Sequence, residues 1–413
     1  MLKRRLPPVL QLRDYRLLWI AVLTMSVSRA MSDVAVGWQV YAIHRNPLDL
    51  GLVGLAEFLP LPLLALPAGA VADRLPRRLV FGSALVVNLV VTALLLVVTA
   101  NGATQLWPFL ALAAANGAAG AAGAPAMRAL PPEIVPAELL ASAIAIRSVA
   151  AQAAVMGGPA LGGLLFAIQP ELVYAVAVAL LAAALVCSVA MSPRAAVAGG
   201  EAPGLDSLLG GLRFLRRSPM VLGAIVLDLF AVLFGGAVAL LPVFARDYLH
   251  TGPLGLGLLR SAPAVGALAA GIMLTRRPLG RHAGRTLLIV VGVFGACMVV
   301  FGLSRSFALS ALALAVSGFA DMISVNIRSM TASLATPDEL RGRVMAVEMV
   351  FISASNELGA FESGLAAAAL GPVTAVVAGG LFTIALALSW TRFFPSLAQV
   401  DRLEALRPAA AET

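Results

Sequence analysis

Long apolar stretches alternate with short polar segments along the whole chain. A helix needs ~20 apolar residues to cross the ~30 Å hydrocarbon core of a bilayer, and twelve stretches are about that long or longer. The pattern therefore predicts an all-α membrane protein with twelve transmembrane helices. These spans occupy residues 16–43, 50–73, 78–100, 105–128, 138–167, 171–191, 219–245, 252–275, 285–304, 307–331, 341–367 and 372–394.

The positive charges of the connecting segments predict the orientation. With the N-terminus placed inside, 23 of the 29 lysines and arginines lie on or beside segments that would be cytoplasmic. On the opposite segments lie Arg45, Arg246 and Arg305. Because positive residues accumulate in cytoplasmic loops, we expect a multi-pass protein of the bacterial inner (plasma) membrane with both termini in the cytoplasm.

The longest polar break separates two sets of six spans. It runs from residue 192 to residue 218, and its second part reads as an amphipathic helix lying at the membrane surface. We therefore predict three parts. They are an N-terminal six-helix bundle (1–191), a cytoplasmic linker with an amphipathic helix (192–218), and a C-terminal six-helix bundle with a cytoplasmic tail (219–413).

Two motifs of the first half recur in the second half at nearly the same offset. The segment from Gly54 to Pro60 parallels the segment from Gly257 to Pro263. The segment from Pro136 to Leu139 likewise parallels the segment from Pro337 to Leu340. Two matched offsets indicate a duplicated six-helix unit rather than a chance similarity.

One short loop between spans 2 and 3 combines a carboxylate with three arginines, in the sequence Gly69-Ala-Val-Ala-Asp73-Arg74-Leu-Pro76-Arg77-Arg78. A carboxylate at the end of one helix can cap the positive N-terminus of a neighbouring helix. A glycine one turn earlier allows that neighbour to approach closely. We expect a contact that opens and closes as a latch; the alternative is a positive loop that only fixes orientation.

This loop resembles the signature loop of the major facilitator superfamily at every fixed position of Gly-x-x-x-Asp-Arg-x-x-Arg-Arg. The resemblance implies the major facilitator fold, in which two six-helix bundles are related by a pseudo-twofold axis. The substrate site would lie between the halves near the middle of the membrane. The resemblance also implies that Gly69, Asp73, Arg74, Arg77 and Arg78 take part in gating the cytoplasmic side.

Two further stretches resemble narrower groups within that superfamily. The run Gly157-Gly-Pro159-Ala-Leu-Gly162-Gly163 is similar to the Gly-Pro-x-x-Gly-Gly motif of drug/proton antiporters. A proline inside a helix kinks it, so Pro159 joins the gating candidates. The start of span 11, Arg341-Gly342-Arg343-Val-Met, resembles the branch that holds the enterobactin exporter and the macrolide efflux proteins. Both resemblances favour export.

Ionisable residues inside the spans are candidate functional groups, because such residues are costly in a bilayer and usually face the protein interior or a cavity. Arg29 and Asp33 are four residues apart and share a helix face. They form either a self-neutralising pair or a site at which Asp33 binds a proton or a cationic substrate. The family fold places span 2 against span 11, so Glu57 is expected near Glu357 or Glu362. Two close carboxylates do not both ionise readily, which would suit a proton carrier; the alternative is an outer gate.

The remaining intramembrane charges divide into gating and cavity candidates. Arg260 is the repeat equivalent of Glu57 with opposite charge, and Arg147 and Glu348 are equivalent in the same way. We place Arg147, Arg260 and Glu348 at gates, with plain packing as the alternative. In the family fold spans 1, 4, 7 and 10 line the cavity. The substrate-cavity candidates are therefore Arg29, Asp33, Asp228 and Asp321.

Composition excludes several other classes of protein. The chain is 60% hydrophobic and 12% charged, with a mean hydropathy of +0.95, whereas soluble domains carry about 25% charged residues. The net charge of +8 does not indicate nucleic-acid binding, because the arginines alternate between loops instead of covering one face. Cys187 and Cys297 lie in apolar runs and are expected to be packing residues. Without a nucleophile elbow, phosphate loop or metal-ligand cluster, we expect neither an enzyme nor a cofactor or metal.

We therefore interpret the sequence as a secondary active transporter that exports a small organic molecule, such as a siderophore or a drug, by proton-coupled alternating access. Its expected partners are the small-molecule substrate, protons and membrane lipids, and the expected state is a monomer. One alternative is an importer or facilitator of a small solute. Another is a non-transporting membrane receptor or interaction protein.

Overall fold

The computed structural model describes residues 7–64, 75–192, 205–277, 281–403 and 406, and within them all regular structure is helical. Twelve described helices are long and apolar enough to cross a membrane. They are α1 (Arg13–His44), α2 (Pro47–Leu64), α3 (Arg77–Ala100), α4 (Trp107–Ile134), α5 (Ala137–Ile168), α6 (Pro170–Ala190), α7 (Pro219–Tyr248), α8 (Pro253–Arg276), α9 (Ala283–Leu303), α10 (Phe307–Ala335), α11 (Asp338–Leu370) and α12 (Pro372–Phe393). Three short helices cover Pro8–Gln11, Leu205–Arg217 and Pro395–Ala398.

The predicted twelve helices are confirmed, and the largest difference concerns α4. The predicted span ends at residue 128, before the adjacent prolines Pro131 and Pro132, yet the helix continues through both and ends at Ile134. A proline has a backbone angle φ that suits a helix, and it removes only a donor and crowds the preceding turn. Membrane helices tolerate this when neighbouring groups satisfy the freed carbonyls.

Two helices show how local sequence sets their ends. Pro47 is the first residue of α2, a position where a missing N–H costs no hydrogen bond. The Asn46 side chain accepts a hydrogen bond from the N–H of Leu48 at 3.0 Å, which satisfies a free donor of the first turn. In α7 the regular helix ends at Gly235, and the remainder is short 3-10, α and π turns up to Tyr248.

The helix packing repeats itself six helices along the chain. In the first half α1 packs against α5 and α6, and α3 packs against α4 and α6. In the second half α7 packs against α11 and α12, and α9 packs against α10 and α12. The same four pairings in each half fit the duplication that the repeated motifs indicate.

Packing divides the chain into two compact units that do not follow the order of the sequence. Unit 1 comprises residues 1–45, 56–202 and 252–261, and unit 2 comprises residues 46–55, 203–251 and 262–413. The first part of α8 therefore packs with unit 1, and the first part of α2 packs with unit 2. Within each unit, these two segments contact a helix that belongs to the other half of the sequence.

Each of these exchanged contacts is a close approach of two glycines. In unit 1, a Cβ on Gly163 of α5 would lie 3.1 Å from the Cα of Gly257 of α8. In unit 2, a Cβ on Gly364 of α11 would lie 2.8 Å from the Cα of Gly51 of α2. Helix backbones come this near only where small residues stand on both sides.

Candidate functional site

The signature loop is described only in part. Gly69, Asp73 and Arg74 lie outside the described residues, so the predicted latch at Asp73 stays a prediction. Arg77 begins α3 and donates to the carboxylate of Glu133 at 3.1 Å and to the carbonyl of Ala129 at 3.2 Å. The ion pair of Arg77 and Glu133 thereby joins the start of α3 to the end of α4.

Arg78 holds the end of another helix. Its guanidinium donates to the carbonyl of Met191, which follows α6, and to the carbonyl of Val189 at 3.3 Å. Carbonyls at a helix C-terminus lack intrahelical donors and carry partial negative charge. Arg78 thus fastens α3 to the last turn of α6.

Four charged side chains meet in unit 1, which we term the balanced cluster: Arg29, Asp33, Glu57 and Arg260. Arg29 forms an ion pair with Glu57. Arg260 lies 3.6 Å from the Asp33 carboxylate and also donates to the Asp33 backbone carbonyl at 3.3 Å. The group contains two guanidinium ions and two carboxylates, so its charges cancel.

The balanced cluster differs from the pairing that sequence spacing suggests. Arg29 and Asp33 share a face of α1, as expected, but Arg29 takes a carboxylate from α2 and Asp33 takes a guanidinium from α8. Both ion pairs therefore connect α1 with another helix.

A seam between α2 and α4 supports Glu57. Asn116 donates its amide N–H to the Glu57 carboxylate at 3.0 Å. A side chain at the next residue, Gly117, would overlap the Glu57 backbone carbonyl. Gly117 thus lets α4 approach closely enough for Asn116 to reach the carboxylate.

The glycine- and proline-rich run of α5 forms the contacts of this helix with α1 and α8. Pro159 is buried inside α5, and its carbonyl lies against Gly257 of α8. A Cβ on Gly162 would lie 2.7 Å from the backbone oxygen of Met31 on α1. Nearer the start of α5, Arg147 has one buried guanidinium nitrogen, Nη1, with no hydrogen-bond partner among the described residues.

A second group of charges meets in unit 2, and here they do not cancel. We term it the acidic cluster: Asp228 on α7, Asp321 and Arg328 on α10, and Glu348 on α11. The Arg328 guanidinium lies 2.5 Å from the Asp228 carboxylate, and both side chains are at least nine-tenths buried. Arg328 also interacts electrostatically with Asp321 and with Glu348. One guanidinium thus faces three carboxylates.

A pocket opens beside the acidic cluster. It contains about 260 Å³ of space not filled by protein atoms, part of it open to the outside, and Asp228, Asp321 and Ser324 supply its polar wall. Its apolar wall comes from Ala231 and Val232 of α7 and from Val290, Val291 and Phe294 of α9. Asp228 and Asp321 both line this pocket; their predicted place in the substrate cavity stays a prediction.

The other two acidic candidates lie on α11, where each is partly buried. The Glu357 carboxylate lies near Gly54 of α2, since a Cβ on Gly54 would be 3.9 Å from its Oε2. Glu362 precedes Ser363, which donates to the carbonyl of Gly236 at 2.9 Å. The predicted proximity of these glutamates to Glu57 stays a prediction.

Sequence reasoning overlooked three residues that hold these clusters together: Asn116, Ser324 and Arg328. Ser324 and Arg328 share a helix face with Asp321 at the spacing i, i+3 and i+7, and Arg328 donates to the Ser324 hydroxyl at 3.2 Å. That spacing was the available signal. It gives no indication that Asp228 is the ion partner.

The C-terminal segment caps the start of α9. The N–H of Ala283 donates to the Asp401 carbonyl at 3.1 Å, and the N–H of Gly284 donates to the Val400 carbonyl at 3.0 Å. The hydrogen bond from the backbone N–H of His282, together with the Arg281 guanidinium, holds the pKa of Asp401 below its usual value. No group of three or more His, Cys, Asp or Glu side chains among the described residues is arranged to hold a metal ion.

Comparison with known proteins gives a family match over almost the whole chain. A family model described as transmembrane secretion effector matches residues 6–409. The multidrug efflux pump Tap of Mycolicibacterium fortuitum is 27% identical over 402 residues, covering 93% of this chain and 96% of Tap. The enterobactin exporter EntS of Shigella dysenteriae serotype 1 is 26% identical over 379 residues, covering 89% and 88% of the two chains.

Solved structures agree on the fold. A bacterial homologue of the human lysosomal transporter Spinster, inward-facing and unoccupied, matches with a TM-score of 0.72 at 15% identity, over 95% of this chain and 99% of that one. The nucleoside transporter NupG matches with a TM-score of 0.69 at 14% identity, over 92% and 99%. The predicted major facilitator fold is therefore confirmed.

Proposed function

Because the chain belongs to the transmembrane secretion effector family, we propose that it exports small organic molecules from the bacterial cytoplasm in exchange for protons. The chain is a membrane transporter of the major facilitator type and not an enzyme. The observation that carries the direction of transport is its similarity over most of its length to two exporters, Tap and EntS. Tap is named as a multidrug efflux pump, and EntS is named as an exporter of the siderophore enterobactin.

The balanced cluster supports alternating access. Asp33 and Glu57, which sequence reasoning placed among the proton carriers, each have an arginine partner, and each ion pair joins α1 to another helix. We therefore propose that the ion pairs of Asp33 and Glu57 act as a lock between helices, breaking and re-forming during the transport cycle. In this proposal neither acid is the proton carrier.

The glycine contacts support the same cycle. Gly163 against Gly257 and Gly51 against Gly364 bring backbones together without interlocking side chains. Such contacts can separate without repacking bulky groups, which suits helices that must part in every transport cycle. Pro159 belongs to this moving seam, since its carbonyl lies against Gly257.

We propose that the protein lies in the inner membrane of a bacterium with both termini in the cytoplasm. The arginine asymmetry of the loops supports this orientation, and so do Arg77 and Arg78 at the start of α3, on the side predicted to be cytoplasmic. In that orientation the linker helix Leu205–Arg217 would lie at the inner surface of the membrane.

Everted membrane vesicles test the proposed function. Vesicles containing the protein receive an interior-acid pH gradient, and uptake of ethidium and of enterobactin is followed with and without a protonophore. We expect one probe at least to accumulate inside the vesicles, since uptake by an everted vesicle corresponds to export from the cell, and we expect the protonophore to abolish the accumulation. Accumulation only in right-side-out vesicles would favour an importer, and absence of both would favour a receptor.

A charge exchange tests the lock within the same assay. Asp33→Arg and Arg260→Asp each place like charges together and should slow transport strongly, whereas the double variant restores an opposite pair and should recover much of the rate. Glu138→Gln, an exposed acid at the start of α5, is the control and should transport normally. Full activity of both single variants would contradict the lock.

A further inference from the structure

The acidic cluster carries more negative charge than its single arginine can neutralise. Arg328 pairs with Asp228 at 2.5 Å, and Asp321 and Glu348 remain within electrostatic reach of both. Fully ionised, the four side chains would carry two net negative charges inside a membrane protein. Because buried uncompensated charge is strongly unfavourable, this cluster has to gain positive charge from elsewhere in at least one state.

The balanced cluster of unit 1 has no such requirement. There two guanidinium ions meet two carboxylates, so the positive and negative charges are already equal in number. The difference in charge between the two clusters, and not their acidity alone, distinguishes the site at which a proton is favourable.

Asp321 is the member of the acidic cluster that is open to an incoming proton. It lines the pocket together with Asp228, but Asp228 is already paired with Arg328. Among the described residues Asp321 forms no ion pair and accepts no hydrogen bond, although Arg328 and Asp228 both act on it electrostatically.

The helices packed around Asp321 supply few other charges. Asp228 faces it from α7, Arg328 from its own helix, and Glu348 of α11 acts on Arg328 and Asp228. From α9 the pocket receives the apolar residues Val290, Val291 and Phe294. The packing of α8 on α10 is a close backbone contact, since a side chain on Gly318 would overlap the carbonyl of Pro263.

We propose that Asp321 binds the coupling proton and that Arg328 is the positioning residue that transmits its arrival. When Asp321 is protonated, Arg328 is shared with fewer carboxylates and pairs tightly with Asp228, which is the arrangement in the structure. When Asp321 is ionised, it draws Arg328 along α10 and loosens the tie between α10 and α7. The proposal rests on the proposed function, because it names the proton site of that exporter.

Infrared titration of the purified protein in nanodiscs tests the proton site without a substrate. A protonated carboxyl group absorbs apart from an ionised one, so the pH dependence of the carboxyl C=O stretch counts protons that are bound. We expect wild-type protein to show a titrating band that is absent from Asp321→Asn and present in Glu339→Gln, an exposed acid at the start of α11. Asp228→Asn should keep the band and change its midpoint, because Arg328 is then left to Asp321 and Glu348.

Two results of the titration would overturn the proposal. In the first, the band of Asp321→Asn equals that of wild type. In the second, the titrating band is absent only from Glu362→Gln, which would assign the proton to α11. Replacing choline chloride by sodium chloride at constant ionic strength should leave the band unchanged. Its loss in sodium would identify a metal-cation site and would equally contradict a proton site.

Transport measurements separate failure of this proposal from failure of the proposed function. In everted vesicles with ethidium as probe, Asp321→Asn should lose at least tenfold of its gradient-driven accumulation and keep downhill ethidium movement. Arg328→Lys keeps the charge and should retain part of the coupling. If wild type accumulates ethidium and Asp321→Asn does so equally, only the proton site is refuted. If wild type moves no probe under a gradient while the infrared band is present, only the proposed function is refuted.

Discussion

Removing Arg328 should destabilise the protein far more than removing its partner. In Arg328→Met the side chain keeps a similar length but loses its charge, and three carboxylates stay together without a counter-ion. The ion pair is 2.5 Å long and its members are 4% and 10% exposed. Breaking a buried pair by deleting one partner lowers the free energy of unfolding by about 3–5 kcal/mol. Because negative charge is in surplus here, we expect Arg328→Met to lie at the upper end of that range.

The matched substitution of the partner tests whether charge surplus is the cause. Asp228→Asn removes one of the three carboxyl groups and keeps an oxygen that accepts from Arg328, while Glu348 still supplies a negative charge to the guanidinium. Its cost should therefore be about 1 kcal/mol, close to that of a single weakened hydrogen bond. The double variant Arg328→Met/Asp228→Asn carries one negative charge fewer than Arg328→Met and should be more stable than it.

Inactivation rates measure this ranking. Transporters of this size commonly unfold irreversibly, so their stability is compared as a half-life at fixed temperature. Purified variants are heated and the monodisperse fraction is followed over time; the expected order is wild type, Asp228→Asn, the double variant and Arg328→Met. A shorter half-life for Asp228→Asn than for Arg328→Met would refute the charge-surplus account. So would simple additivity in the double variant, since residues in direct contact should couple.

Three further predictions concern other parts of the chain. Gly162→Ala places a Cβ 2.7 Å from a backbone oxygen of α1 and should destabilise the protein by about 1–3 kcal/mol, the usual cost of overpacking; its half-life on heating measures this. Tyr174→Phe removes the hydroxyl that donates to the buried Gln39 amide oxygen at 2.6 Å and should cost about 1–3 kcal/mol in the same assay. The contribution of Asp401 to the cap of α9 should be lost on acidification. The pKa of Asp401 is lowered by the backbone hydrogen bond from His282, so its contribution is complete above the pKa of the unfolded chain and falls as pH drops through the folded value. Hydrogen exchange at the first amides of α9 reports this loss.

Each of these predictions has a matched control. Gly157→Ala adds the same methyl group where nothing lies within 4 Å, so equal effects of Gly157→Ala and Gly162→Ala would exclude overpacking. Adding Gln39→Leu and Thr99→Val to Tyr174→Phe removes all three members of this buried hydrogen-bond network and should recover stability; further loss would contradict the hydrogen-bond account. Asp401→Asn should show fast hydrogen exchange at the first amides of α9 at every pH. Comparing it with wild type at the same pH cancels the pH dependence of intrinsic exchange.

Local sequence was sufficient for the helices and for their duplication. A run of apolar residues of sufficient length requires a helix in the bilayer, because the backbone must satisfy its own hydrogen bonds there. The predicted spans consequently agree with the observed helices to within a few residues at most ends. The prolines at the end of α4 mark the limit of this reasoning, since Pro131 and Pro132 continue a helix that propensity alone would end.

The partners of the buried charges were decided by tertiary structure. Spacing along α1 places Arg29 and Asp33 on one face, but it does not indicate that Glu57 and Arg260 arrive there from α2 and α8. In the same way, spacing relates Asp321 to Arg328, yet only the packing of α7 on α10 brings Asp228 to the guanidinium. Helical periodicity sets the direction of a side chain on its own helix. Which neighbour it meets depends on close backbone contacts, such as Gly117 on α2 or Gly163 on Gly257, that are long-range in sequence.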